Sequence, residues 1–173
     1  MPTQFGWGEY LGGFRFNSSL TTSGRISIVA RDTIWVHFNI AGYGGSDIAS
    51  LRFNGDTGNN YQTRFLTVAI ASVTFTNVNT LSTGFLRLAG LAGTMRRAGS
   101  VQIMNISNVN KVCKIETWDD NVTGVGTETV AEVCGGGFWA NTSAQITDIE
   151  MTTAGGATLP AGSGFAVFGL NLG

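Results

Sequence analysis

The stretch Ile34-Trp-Val-His-Phe-Asn-Ile40 puts Ile34, Val36, Phe38 and Ile40 on one side of an extended chain and Trp35, His37 and Asn39 on the other. A period of two is the mark of a strand with one buried face. Outward from it, alternation returns in Arg25–Ala30, Phe65–Phe75, Gly84–Leu91, Val101–Ile106, Lys111–Trp118, Thr127–Cys134, Gln145–Met151 and Phe165–Leu170. Helical periodicity is almost absent, and Gly, Asn and Thr clusters separate the runs. The pattern predicts an all-β fold built as a sandwich or barrel of short strands. Ile34, Val36, Phe38, Ile40, Phe165 and Val167 are expected to share one core. The run Phe165–Leu170 is apolar on both faces, so a strand buried on both sides is expected there. In Gln145–Met151 the apolar residues Ile146, Ile149 and Met151 change phase once, which predicts a β-bulge near Thr147 and Asp148.

At 173 residues the chain suits one domain with a sizeable core. Charged residues make up only 12%, about half the usual share, while hydrophobic residues make up 43%. No apolar run approaches the ~20 residues of a spanning helix, so no membrane partner is expected. Thr, Ser, Asn and Gly are expected to cover the surface instead of ions, and a neutral polar face costs less to bury in an assembly than a charged one. A net charge of −1 leaves no basic stripe for a phosphate backbone, so no nucleic-acid partner is expected. Met1 leads into Pro2 and mixed polar residues, not into a basic and then apolar leader, so no secretory signal is expected.

Reactive groups are sparse. Asp56-Thr-Gly58 matches the tripeptide of aspartic proteases, but Asn54-Gly55 before it and Asn59-Asn60 after it describe a solvated turn held by Asx side chains. A calcium ion on Asn54, Asp56 and Asn59 would lack the carboxylate density of a calcium loop. His37 is the only histidine and sits on a strand face. Glu116, Asp119 and Asp120 form the densest acidic group, the residues on which a glycoside hydrolase would depend. Cys113 and Cys134 fall opposite one another only if their strands turn at Thr123-Gly124, and a reducing compartment favours two buried thiols. Arg96-Arg97 reads as a solvated basic turn. Sequons at Asn17, Asn105, Asn121 and Asn141 are explained by chance in an Asn- and Thr-rich chain. No catalytic residue, cofactor or metal is expected.

Two segments carry a resemblance: the turn Leu51-Arg-Phe-Asn-Gly-Asp-Thr-Gly-Asn-Asn-Tyr61 and the ending Ala161-Gly-Ser-Gly-Phe-Ala-Val-Phe-Gly-Leu170. Together they resemble small β-sandwich virion proteins of tailed bacteriophages, and the segment from Gly135 to Met151 fits the same pattern. The likeness covers most of the chain after about residue 25. It implies a two-sheet antiparallel sandwich of jelly-roll type and a structural or host-contacting place on a virion assembled in the host cytoplasm. A capsid cement (decoration) protein is the role it favours, with the major capsid protein and further copies of itself, in a homotrimer, as partners. A head-spike base or tail component is the alternative, and a polysaccharide-degrading tail enzyme a more distant one.

The first sixteen residues do not match that group. Phe5, Trp7, Tyr10, Phe14 and Phe16 alternate irregularly with Gly6, Gly8, Gly12 and Gly13. Glycine-spaced aromatics make a poor helix but suit an extended arm laid over another surface. An ordinary first strand of the chain's own sandwich is the other reading. The expected organisation is an arm over residues 1–16, with those five aromatics as partner anchors, and one sandwich domain over residues 17–173.

Overall fold

The computed structural model describes residues 8–42, 47–69, 74–88, 96–121 and 129–172. Among them there is no helix, and twelve strands form: β1 (Glu9–Arg15), β2 (Thr22–Ser27), β3 (Thr33–Ile40), β4 (Ala49–Phe53), β5 (Tyr61–Ala69), β6 (Thr74–Thr83), β7 (Leu86–Arg87), β8 (Arg96–Met104), β9 (Lys111–Asn121), β10 (Thr129–Trp139), β11 (Asp148–Thr153) and β12 (Gly164–Leu170). They make two antiparallel sheets. The larger runs β1-β12-β3-β8-β9-β10-β5-β6 and the smaller β2-β11-β4-β7. The pairing is nested: β1 with β12, β2 with β11, β3 with β8 and β4 with β7. The hairpins β5–β6 and β9–β10 are inserted into that scheme and widen the larger sheet.

The two sheets pack face to face through one hydrophobic core. Ile34, Val36, Phe38, Ile40, Phe165 and Val167 lie in it together, as the alternation requires. From the smaller sheet Leu51, Phe53, Ile149, Met151 and Leu86 meet them, each fully buried. Burying one such side chain stabilises the fold by roughly 1.5–3 kcal/mol relative to leaving it exposed. On β10, Gly135 stands beside Phe65 of β5, and a Cβ there would come within 2.4 Å of the Phe65 ring. The absence of a side chain is what lets Phe65 lie inward, 1% exposed, in that row.

Several expectations are corrected. The segment from Glu9 to Arg15 is not a detached arm: it is the edge strand β1, paired along its length with β12. Phe16 is fully buried, and its backbone bonds to Gly162 and Ser163. β12 is buried on one face only. Phe165, Val167 and Gly169 point inward, while Ala166 and Phe168 are half-buried on the outside and Leu170 is exposed. The run Phe65–Phe75 is two strands, since Val68 pairs with Phe75 and Ala69 with Thr74. The sequence joining them, Ile70-Ala-Ser-Val73, contains no Gly, Asn or Pro, so nothing in the composition marks the break. Among the described residues of the Gly84–Leu91 run, 84–88, the strand is Leu86–Arg87. The phase change near Thr147 is not a bulge but the point where β11 begins, at Asp148.

The cysteine register is also corrected. Cys113 pairs with Gly137 and Cys134 with Glu116, so the two thiols sit three rows apart on opposite faces of the sheet. Cys113 is buried and Cys134 exposed. Arg96 and Arg97 open β8 and do not form a solvated turn, and Arg97 is 3% exposed.

Candidate functional site

The turn that carries the resemblance is a structural latch. Asn54 and Gly55 have φ of 53° and 65°, and the Asp56 amide donates to the Phe53 carbonyl at 3.0 Å. Two successive left-handed residues make a type I′ turn, for which Asn-Gly is the favoured pair. The Asn54 side chain then reaches across to the chain entering β11. Its amide donates to the Gln145 carbonyl at 2.8 Å, and its oxygen accepts from the Thr147 and Asp148 amides at 2.8 and 3.2 Å. Asp148 is in turn gripped by both ends of the Arg25 guanidinium. One asparagine thereby ties a hairpin turn to the smaller sheet's central strand.

Asp56 does the same toward the larger sheet. Its Oδ1 accepts from the Gly58 amide at 2.8 Å, and its Oδ2 accepts from Trp139 Nε1 at 2.6 Å and from Asn60 Nδ2 at 3.0 Å. Burial pushes the Asp56 carboxyl up, but these donors outweigh it and hold it below the usual carboxylate value. Both oxygens are committed to turn donors, so this aspartate is an anchor within the turn and not a paired acid. Trp139 stacks on Tyr61 with ring centroids 6.2 Å apart and meets Phe53 edge-on at 5.8 Å. The Tyr61 hydroxyl accepts from the Phe53 amide at 2.9 Å. Burial pushes that hydroxyl's pKa up, so it stays protonated as a donor to the turn carbonyls.

A second feature lies on the outer face of the larger sheet. Tyr10 on β1 is 54% exposed and meets Phe168 of β12 edge-on at 5.6 Å. Phe168 meets His37 of β3 edge-on at 5.7 Å. These three rings form an aromatic strip across neighbouring strands, with Trp35 half-buried beside His37. Of the five aromatics expected as anchors, Tyr10 is placed to meet a partner. Phe14 packs on the core and meets Phe16 edge-on at 4.9 Å, so both belong to the interior. Phe5 and Trp7 lie outside the described residues.

The remaining candidates are dispersed. Glu116 points outward and pairs with Lys114 at 2.6 Å. The backbones of Asp119 and Asp120 lie opposite those of Arg97 and Arg96, and their side chains are outside the described residues. Among the described residues no three His, Cys, Asp or Glu side chains gather as a metal site. Among the described residues no helix is long and apolar enough to cross a membrane. The sequon residue Asn105 is fully buried, bonding through its side chain to Arg31 and Ile146, and is closed to any modifying enzyme in the folded state.

Sequence reasoning missed two polar anchors. Lys111 is fully buried, and its Nζ donates to the Val109 and Asn141 carbonyls at 2.7 and 2.9 Å. Asp47 accepts from the Ile48, Gly155 and Ala157 amides and fixes the loop after β11. A lysine at an inward-facing position of an alternating strand was the available signal for the first; an isolated loop aspartate offered none. No protein-family model and no curated protein matches this chain.

Proposed function

We propose that this chain is a structural protein of a tailed-bacteriophage virion, a non-enzymatic capsid cement protein that binds between capsid subunits. The observation carrying this reading is the nested strand order. Pairing of β1 with β12, β2 with β11, β3 with β8 and β4 with β7, rolled so that β12 meets β3 and β11 meets β4, supports a jelly-roll reading with two inserted hairpins. That architecture recurs in viral capsid domains. It joins the resemblance carried by Leu51–Tyr61 and Ala161–Leu170, the two segments that form the latch and strand β12 between β1 and β3.

The surface supports the same role. The outward face of the larger sheet carries exposed aromatic and aliphatic side chains with few charges, a face suited to burial in a permanent assembly. Tyr10, with Phe5 and Trp7 upstream of it, is the proposed anchor on the major capsid protein. Repeated copies on one particle would add avidity to weak single contacts. A head-spike base or tail component is the second reading, favoured by the two inserted hairpins that extend the larger sheet beyond the nested core.

The test is capsid binding. Purified protein is added to phage capsids from which it is missing, and the capsids are pelleted and heated. Saturable co-sedimentation with a raised capsid melting temperature is expected. Failure to bind capsids, together with binding to host envelope preparations, would move the role to the spike or tail.

A further inference from the structure

Strand β9 presents a sequence that is its own complement. Its inward residues Lys111, Cys113, Ile115 and Thr117 are buried, and its outward residues are Val112, Lys114, Glu116 and Trp118. Read outward, the order is apolar, positive, negative, apolar. Val112 and Trp118 are 55% and 48% exposed, which is unusual for large apolar groups in the middle of a sheet. β9 has four strands on one side and three on the other, so this row sits near the centre of the larger sheet.

We propose that two copies of this chain pack through the outer faces of their larger sheets, about a two-fold axis crossing β9 between Lys114 and Glu116. An axis in the interface plane and across the strands sets β9 antiparallel to its copy. Lys114 then stands opposite Glu116 of the second copy, twice over, and each Val112 opposite a Trp118. An axis along the strands would set lysine on lysine and glutamate on glutamate, so charge selects between the two arrangements.

The flanking strands fit the same operation. In the row of Lys114 lie Gln102 of β8 and Gly136 of β10; in the row of Glu116 lie Ser100 and Cys134. The two-fold axis sets Gln102 opposite Ser100 and Gly136 opposite Cys134, a longer side chain against a shorter one in each case. No like charge meets its equal in these rows. A patch of five strands by seven residues measures roughly 24 Å by 24 Å, the scale of a modest dimer interface. Within one copy Lys114 pairs with Glu116 at the surface, a contact worth little in water. Between two sheets the same charges are desolvated and form alternating pairs. This inference does not depend on the virion role.

Sedimentation equilibrium tests it on the full chain and on three surface variants, Lys114→Glu, Glu116→Lys and the double exchange, with circular dichroism confirming unchanged strand content. The parent is expected to form a dimer or another even-numbered particle at ~100 µM. Each single reversal should weaken association by about tenfold or more, and the double exchange, which keeps the complement, should restore it. Maleimide labelling of Cys134 is an independent reading on the parent alone, since Cys113 is buried: labelling should accelerate on dilution. A monomeric parent, an exclusively odd-numbered assembly, single reversals that associate like the parent, or a labelling rate indifferent to concentration would each overturn the proposal.

Discussion

Trp139 Nε1 donates to Asp56 Oδ2 at 2.6 Å, joining the end of β10 to a turn 83 residues earlier in the chain. The indole ring is fully buried between Tyr61 and Phe53, so its one polar group has to find an acceptor inside, and Asp56 supplies it. Asp56→Ala removes that acceptor along with those used by Gly58 and Asn60. A loss of about 2–3 kcal/mol is expected, measured by urea unfolding. Asp56→Asn keeps part of the geometry and should cost less.

Acid should weaken the same anchors. Burial pushes the Asp47 and Asp56 carboxyls up, but amide and side-chain donors hold both below the ordinary value of 3.8. The unfolded chain therefore binds more protons as pH falls through that range, and the stabilisation, complete above about pH 4, is lost as pH drops through the folded values. Urea midpoints measured from about pH 2 to about pH 6 should rise with pH. The Asp47→Asn/Asp56→Asn double variant should show a flatter profile.

Asn54 is expected to matter twice, through its φ of 53° and through its side chain. Asn54→Gly keeps the turn and loses the bonds to Gln145, Thr147 and Asp148. Asn54→Val loses both, because a β-branched residue resists left-handed backbone. The expected order of stability is parent, then Gly, then Val, with the Gly variant down by about 1–2 kcal/mol.

Lys111→Met keeps most of the buried stem and leaves the Val109 and Asn141 carbonyls without the ammonium. Loss of about 1–3 kcal/mol is expected, together with faster amide exchange in the loops before β9 and after β10. Unchanged exchange there would show that the lysine is not what holds these loops.

Truncation separates the two halves of the amino-terminal segment. Deleting residues 1–16 removes β1 and Phe16 and should destabilise the sandwich severely, exposing Phe168 and Phe165 of β12. Deleting residues 1–7 should leave the circular dichroism spectrum unchanged while capsid binding falls. Full binding by the shorter deletion would remove Phe5 and Trp7 as anchors.

Much of the fold was legible because one-sided burial imposes a period of two, as in Ile34–Ile40 and Lys111–Trp118. Where that physics was absent the reading slipped. β12 carries Phe168 on an outer face that is apolar without being buried, so periodicity overstated its burial. The sequence Ile70-Ala-Ser-Val73 between β5 and β6 has no residue with special backbone freedom, so two strands read as one. The cysteine register depended on a turn position that composition does not specify. Phe14 and Phe16 looked like anchors because glycine spacing disguises an edge strand. The Asn-Gly turn was legible from residue chemistry, but its long-range bonds to Asp148 and Trp139 depend on the folded topology.

The proposed capsid-cement role is tested by counting the copies of this chain in gradient-purified particles of a phage carrying its coding sequence. Quantitative mass spectrometry against the major capsid protein gives the ratio. Hundreds of copies per particle, on the order of the capsid protein itself, are the expected result for a component repeated by capsid symmetry. Absence from the particle, or a few copies confined to the tail fraction, would contradict it.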